Sequence, residues 1–260
     1  MCELSNLVNM ACYPLHSAGF AAQCREALDQ NGVLVLADFL VDDVIETIRQ
    51  EGEASRHLAY YTADRHNVYL KPKDSDFSAN HPRNREISSS KGCITTDQIP
   101  SNSPLHRLYN DAQFRLFLCR VLGEEKLYEY ADPLSSINLH YADEDQELGW
   151  HFDNSSFAIT LLIQKPDGGG VFEYVKDVEN TNREKKNYDL VEAILNDQIP
   201  TETLNMDEGT LVLFRGRNAL HRVTKVKGNT TRMLVVLAYN TEPNISLSES
   251  ARMTFYGRLN

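Results

Sequence analysis

A mainly β fold with helices packed along one side is what this sequence predicts, and three observations predict it. Short apolar or alternating segments separated by turn residues follow one another after residue 127, the pattern of an all-β sandwich or barrel. Before residue 125 the apolar residues recur mostly at helical spacing. Between the two halves of the strand-rich region stands Gly168-Gly169-Gly170 behind Lys165-Pro166-Asp167, a hairpin turn rather than a phosphate loop, because no Lys-Ser/Thr follows and no helix begins there.

The elements follow in order. Ser17 is placed to cap a helix running to Gln30, with Phe20, Cys24, Ala27 and Leu28 on one face and Asn31-Gly32 as its stop. Val33 to Leu36 reads as a buried strand. Val41 to Ala54 places Val44, Ile45 and Ile48 at helical spacing beside Asp42, Asp43 and Glu46. From Lys71 to Lys91 the chain is polar and interrupted by Pro72 and Pro82, which predicts a loop, in the position of a lid. Leu105 to Leu122 reads as one long helix closed by Gly123, with Leu105, Leu108, Phe114, Phe117, Leu118 and Val121 on its apolar side. The strands expected thereafter are Ser136–Tyr141, Gly149–Asp153, Phe157–Gln164, Gly170–Tyr174, Thr210–Phe214, His221–Thr224 and Arg232–Asn240. A charged insertion, Lys176 to Tyr188, leads into a short helix around Leu190 to Leu195.

Composition bounds the function. With 260 residues, 42% of them hydrophobic, one core suffices. A single domain is expected, with a helical part over about 1–125, a barrel core over about 127–242 and an extension over 243–260. The net charge of −11 disfavours broad capture of nucleic acid or anionic membrane, which needs basic surface. Cys2, Cys12, Cys24, Cys93 and Cys119 are odd in number and lack CxxC spacing, so neither a disulfide framework nor a thiolate zinc site is indicated. No basic leader precedes Pro14, and no run approaches the roughly 20 apolar residues of a membrane span. A soluble cytoplasmic protein is expected, with homo-oligomers open.

One motif carries the chemistry. On an extended segment His151 and Asp153 point the same way, and His221 from a distant strand can complete one face of a metal coordination sphere. Two imidazoles and a carboxylate leave open positions on iron(II) for a chelating cosubstrate and dioxygen. A 2-oxo diacid needs a fixed cation for its far carboxylate, and the guanidinium fork of Arg232 suits that role. Arg215, Arg217 and Arg222 compete for it. The remaining histidines, His16, His57, His66, His81, His106 and His140, read as ordinary core or surface residues.

Gly149-Trp150-His151-Phe152-Asp153-Asn154, Phe157 to Leu162, Gly168 to Tyr174, Phe214-Arg215-Gly216-Arg217 through His221-Arg222-Val223, Tyr128 to Leu134 and Thr254 to Arg258 resemble iron(II)/2-oxoglutarate-dependent oxygenases. More narrowly they resemble the group of carrier-free amino-acid radical halogenases and their hydroxylating relatives. The resemblance implies a double-stranded β-helix, a jelly-roll or cupin-like barrel. It implies iron held by His151, Asp153 and His221, with Arg232 on 2-oxoglutarate, dioxygen as co-substrate, and succinate and carbon dioxide as products. Halogenases of the group have glycine where Asp153 stands, leaving room for chloride, so the carboxylate implies hydroxylation, with desaturation open. The expected substrate is a small molecule, an amino acid or a derivative. Leu148 and Asn154 depart from the acidic and histidine side chains of lysine-acting members. Asn154, Trp150, Asn138 and Tyr256 are candidates to line the pocket, and Arg83 or Arg85 to meet a substrate carboxylate. Two readings from other classes stand beside this one: a non-catalytic jelly-roll binding module, and a cupin-like metalloenzyme that does not use 2-oxoglutarate.

Overall fold

The structure, a computed structural model, describes residues 4–179 and 186–260. Its elements are α1 (Ala18–Asn31), β1 (Val33–Leu36), α2 (Asp42–Ser55), β2 (Tyr60–His66), β3 (Ile87–Ile94), α3 (Pro104–Asn110), α4 (Ala112–Leu122), β4 (Ile137–Ala142), β5 (Leu148–His151), β6 (Ala158–Gln164), β7 (Gly168–Gly169), β8 (Phe172–Val175), α5 (Tyr188–Leu195), β9 (Glu202–Leu204), β10 (Leu211–Phe214), β11 (Leu220–Val223), β12 (Val226–Lys227), β13 (Arg232–Leu237) and α6 (Glu249–Tyr256). The caps expected for the first helix are present: the Ser17 hydroxyl accepts from the Phe20 amide, and Gly32 closes α1 in the left-handed region.

One antiparallel sheet runs β1-β10-β6-β13-β4-β3-β5-β11-β8-β9, with β2 also paired to β3. It is curled, and β3 makes the bend. The Gly92–Ile94 end of β3 pairs with β4, whereas Ser89 pairs with Leu148 of β5, so one strand joins the two halves. Phe214 of β10 meets Phe172 and Tyr174 of β8 edge-on, at ring-centroid separations of 5.0 and 5.5 Å, which brings the two halves together across the interior. This is the mainly β, helix-flanked jelly-roll class that the sequence predicts.

Alternation along the strands assigns the two faces. Ile137, Leu139 and Tyr141 of β4, Ile159, Leu161 and Ile163 of β6, Leu211 and Leu213 of β10, and Met233, Val235 and Leu237 of β13 point outward. There they join α1 to α4 in the largest apolar cluster. The opposite face of the same strands carries Asn138, His140, Phe214 and Arg232. The main core therefore lies between sheet and helices, and the barrel interior is left for chemistry.

Some boundaries differ from expectation. The helix read over Leu105–Leu122 is two helices, because Asp111 takes extended backbone (φ −68°, ψ 124°) and its carboxylate caps α4 through the Gln113 and Phe114 amides. The end of the loop expected over 71–91 is strand: Ile87 to Lys91 belong to β3, whose hydrogen bonds come from β2, β4 and β5. The strand carrying the His-x-Asp motif stops at His151. Helix α6 and the hairpin strand β2 were not anticipated. Cys2, and most of the Arg183–Lys186 charge cluster within the charged insertion, lie outside the described residues. Among the described residues no helix is long and apolar enough to cross a membrane.

Candidate metal centre

Strands β5 and β11 are antiparallel neighbours with His151 directly opposite His221. Their rings lie 4.2 Å apart, and both side chains are buried. Asp153, two residues past His151, has left the ladder but stays extended beside it, since the Phe152 amide donates to the Val68 carbonyl and the Asp153 amide to the Gly216 carbonyl. Asp153 Oδ1 lies 3.7 Å from His151 Nε2 and 3.5 Å from His221 Nε2. Adjacent donors at about 2.1 Å and right angles around an ion would be roughly 3 Å apart, so small movements close the set on a metal. Ligand atoms of the three residues lie within 4.8 Å of one another, the one such group among the described residues.

Both imidazoles are held in the tautomer a metal requires. His151 Nδ1 donates to the Gly149 carbonyl at 2.8 Å and His221 Nδ1 to the Ala219 carbonyl at 3.0 Å, which leaves each Nε2 lone pair facing Asp153. Phe172 stacks on His221 and Phe214 meets it edge-on, fixing the ring and excluding water. Burial, followed by the neighbouring His221, pushes His151 down to about 3. Burial alone would raise the Asp153 carboxyl, but His221, His151 and Lys91 outweigh it and hold it below the usual carboxylate range. At neutral pH the set is one anion and an imidazole held neutral, facing a second imidazole. That is a donor set for a divalent ion.

Arg232 opens β13 opposite Ala142. It is buried, pulled down by that burial to about 10 and so still cationic at neutral pH, and no carboxylate among the described residues lies within ion-pair reach of it. Its rivals are occupied elsewhere. Arg215 pairs with Asp29, Arg222 pairs with Glu173 beneath the Trp150 ring, and Arg217 donates to the Asn154 carbonyl. The glycine turn matters here: a Cβ at Gly170 would sit 2.9 Å from Arg232 Cδ, and φ is +59° at that position.

A profile of the family described as Halogenase D matches residues 17–254, nearly the whole chain. The chain belongs to the Halogenase D family.

No curated protein matches this Halogenase D chain. Solved structures match its fold. An oxidoreductase of the 2OG-Fe(II) oxygenase family from Burkholderia pseudomallei superposes with TM-score 0.53 at 14% identity, over 87% of this chain and 93% of that one. The non-haem α-ketoglutarate-dependent epimerase SnoN of nogalamycin biosynthesis, solved with Fe3+, α-ketoglutarate and nogalamycin RO, gives 0.55 at 9% identity, over 86% and 84%. A prolyl hydroxylase from Trichoplax adhaerens gives 0.51 at 12%, over 84% and 89%. The Halogenase D chain thus has the fold of iron(II)/2-oxoglutarate oxygenases, with a His-Asp-His site suited to iron.

Two cavities open on the molecule's interior strands, and one of them borders the centre. One, of about 220 Å³, reaches Asp153 and Asn154 and is bordered by Tyr69, Glu179 and Arg217. The other, of about 200 Å³, lies between β3, β4, β13 and α6 and takes in Lys91, His140, Asn138 and Tyr256. Asn138 and Tyr256 hold each other: Tyr256 donates its hydroxyl to Asn138 Oδ1 at 2.9 Å, and Asn138 Nδ2 donates to the Leu134 and Ile137 carbonyls. Trp150 and Arg85 border neither cavity. Trp150 sits in the apolar cluster behind β5, and Arg85 is tied to Asn196 and the Leu195 carbonyl. Arg83 lies over the Tyr69 ring at 5.8 Å.

Sequence reasoning missed Lys91 and treated His140 as background. Lys91 Nζ lies 3.2 Å from both ring nitrogens of His140, which burial, then Lys91 and Arg232, keep neutral far below the usual histidine range. The available signal was Gly92-Cys93-Ile94, an apolar end to the segment read as a loop.

Proposed function

We propose that this Halogenase D protein is an iron(II)- and 2-oxoglutarate-dependent dioxygenase that hydroxylates a C–H bond of a free amino acid or related small metabolite, releasing succinate and carbon dioxide, and that it does not halogenate. The observation that carries the reading is Asp153, an anionic carboxylate 3.5 and 3.7 Å from the two Nε2 atoms. A third protein donor in that position leaves no anion vacancy for halide.

His151, His221 and Asp153 would hold iron(II), which when bound supplies dioxygen activation coupled to decarboxylation of 2-oxoglutarate. The residues do the rest. The two backbone carbonyls accept the Nδ1 protons, which turns Nε2 of each ring toward the metal position. Arg232, buried and with no carboxylate partner among the described residues, receives the far carboxylate of 2-oxoglutarate and orients its keto end toward the imidazoles. Phe172 and Phe214 keep water from the side of His221. Asn154, beside Asp153 in the cavity of about 220 Å³, is positioned to meet a ligand entering there. Cys12, Cys24, Cys93 and Cys119 are free, in keeping with work in the cytoplasm.

The test is succinate formation by purified protein with iron(II), 2-oxoglutarate and oxygen, omitting each in turn, across amino acids and derivatives with and without chloride. Dependence on all three, a hydroxylated product and no chlorinated one are expected, and His221→Ala should lower both metal affinity and turnover at least about 100-fold. Turnover indifferent to 2-oxoglutarate would select a cupin-like metalloenzyme instead. Persisting activity of Asp153→Ala without added halide or carboxylate would overturn the assigned ligands.

A further inference from the structure

We propose that the cavity beside Lys91 is the substrate pocket and that it takes a carboxylic acid with a hydrocarbon body, not a basic or otherwise tail-charged amino acid. The inference rests on the oxygenase reading above and sharpens it.

Two cations share the interior face, Arg232 buried and Lys91 half-buried. Arg232 is opposite Ala142 on β4, and Gly92 is opposite Tyr141, so Lys91 flanks Ala142 from the other side. One strand separates the two cations, about 10 Å between the outer chains. The cosubstrate needs one of them. Its far carboxylate uses Arg232, and its oxo-acid end faces the metal ligands. Lys91 is then a second ammonium whose Nζ lies against the neutral His140 ring; Asp153 and the Cys93 thiol act on it from farther off, and no carboxylate among the described residues lies within ion-pair reach of it. A lysine taken out of water into such a site is costly unless an anion joins it. The cavity gives that anion a place, because Lys91 lines it.

The rest of the wall decides what the anion is attached to. Val236, Ala238, Leu247 and Phe255 contribute apolar surface; Tyr256 donates to Asn138 and the Ser135 hydroxyl to Asp132, and Tyr130 and Cys93 complete the wall. No acidic side chain among the described residues borders the cavity. A charged substrate tail placed among these apolar groups would be desolvated without a counter-charge, whereas a hydrocarbon chain fits them. At about 200 Å³ the space suits a small acid.

Hexanoate and hexylamine separate these cases, being alike in length and opposite in charge. The protein is first titrated with iron(II) and 2-oxoglutarate alone under anaerobic conditions; failure at this stage sinks the oxygenase reading itself. Each probe is then titrated into the loaded protein, followed by perturbation of the visible absorption of the complex and by melting temperature. Hexanoate is expected to bind and hexylamine not. Lys91→Met, which keeps volume while removing the charge, should weaken hexanoate at least about tenfold and leave 2-oxoglutarate affinity unchanged. Val236→Glu, a change on the apolar wall, should invert the preference toward hexylamine. With cofactor binding intact, the proposal is overturned by tighter binding of hexylamine, by no binding of hexanoate, or by hexanoate binding indifferent to Lys91→Met. An equal loss of 2-oxoglutarate affinity in that variant also overturns it, since Lys91 would then serve the cosubstrate.

Discussion

Gly216 sets the reach of Asp153. A Cβ at that position would lie 1.8 Å from Asp153 Oδ2 and 2.5 Å from Cγ, while the Gly216 carbonyl already accepts the Asp153 amide at 3.1 Å. Backbone contact and side-chain space are both used, so an added methyl can be accommodated only if the carboxylate swings away from the imidazoles. Gly216→Ala is therefore expected to lower iron(II) affinity by about 10- to 100-fold, the range for disturbing groups that orient metal ligands. Metal titration with a circular-dichroism check of folding measures it; wild-type affinity in a folded variant would mean that Asp153 is not held where the metal needs it. At this scale the sequence was readable where chemistry is written locally. His151 and Asp153 announce themselves by spacing, and His221 by order. Lys91 and His140 do not, because each gains meaning from the other across two strands. The glycine at 216 could be seen, but the atom it makes room for could not.

Among elements, the break between α3 and α4 shows what periodicity hides. Leu105, Leu108, Phe114, Phe117, Leu118 and Val121 all reach one apolar cluster, so the spacing survives a break that the backbone makes at Asp111. The local signal was an aspartate before a fresh run of apolar residues, the usual composition of a helix N-cap. Both Asp111 bonds to backbone amides are 2.9 Å long. Asp111→Ala should cost about 1 kcal/mol of stability in denaturant unfolding, with Asp111→Ser recovering most of it; no change in the midpoint would show that packing alone starts α4. Strand β3 is the opposite case. Ser88-Ser89-Ser90 gives it little strand character of its own, and its position is specified by β2, β4 and β5. The element most responsible for bending the sheet was consequently the least legible. The His-x-Asp strand was found but ends two residues earlier than read, since beyond His151 the Val68 and Gly216 carbonyls replace the ladder.

For the whole molecule, surface and interior carry opposite charge. The chain has net charge −11, yet the inner face of the barrel gathers Arg232 and Lys91 around imidazoles kept neutral by burial. This arrangement ties stability to pH. His151, lowered to about 3, and His140, also lowered, stay unprotonated in the folded protein at pH values where the unfolded chain binds protons at about 6.5. Their contribution is fully present above that unfolded value and is lost as pH falls toward the folded one, because protons then favour the unfolded chain. Asp153 acts in the same sense at lower pH. Its carboxyl is depressed in the fold, so its share is present above about 3.9 and disappears as pH drops through its folded value. All three act in the same direction, against a domain stability that is small to begin with. The metal-free protein should accordingly melt well below its neutral-pH temperature at pH 5, at constant ionic strength, and take up protons on unfolding. His140→Gln should flatten the slope between pH 7 and 5. If Arg232 receives 2-oxoglutarate as proposed, adding that ligand should raise the melting temperature with the logarithm of its concentration once it exceeds Kd. A melting temperature constant from pH 7.5 to 5 would mean that the interior imidazoles are hydrated and open to protons, and the dry metal pocket inferred from their burial would have to be abandoned.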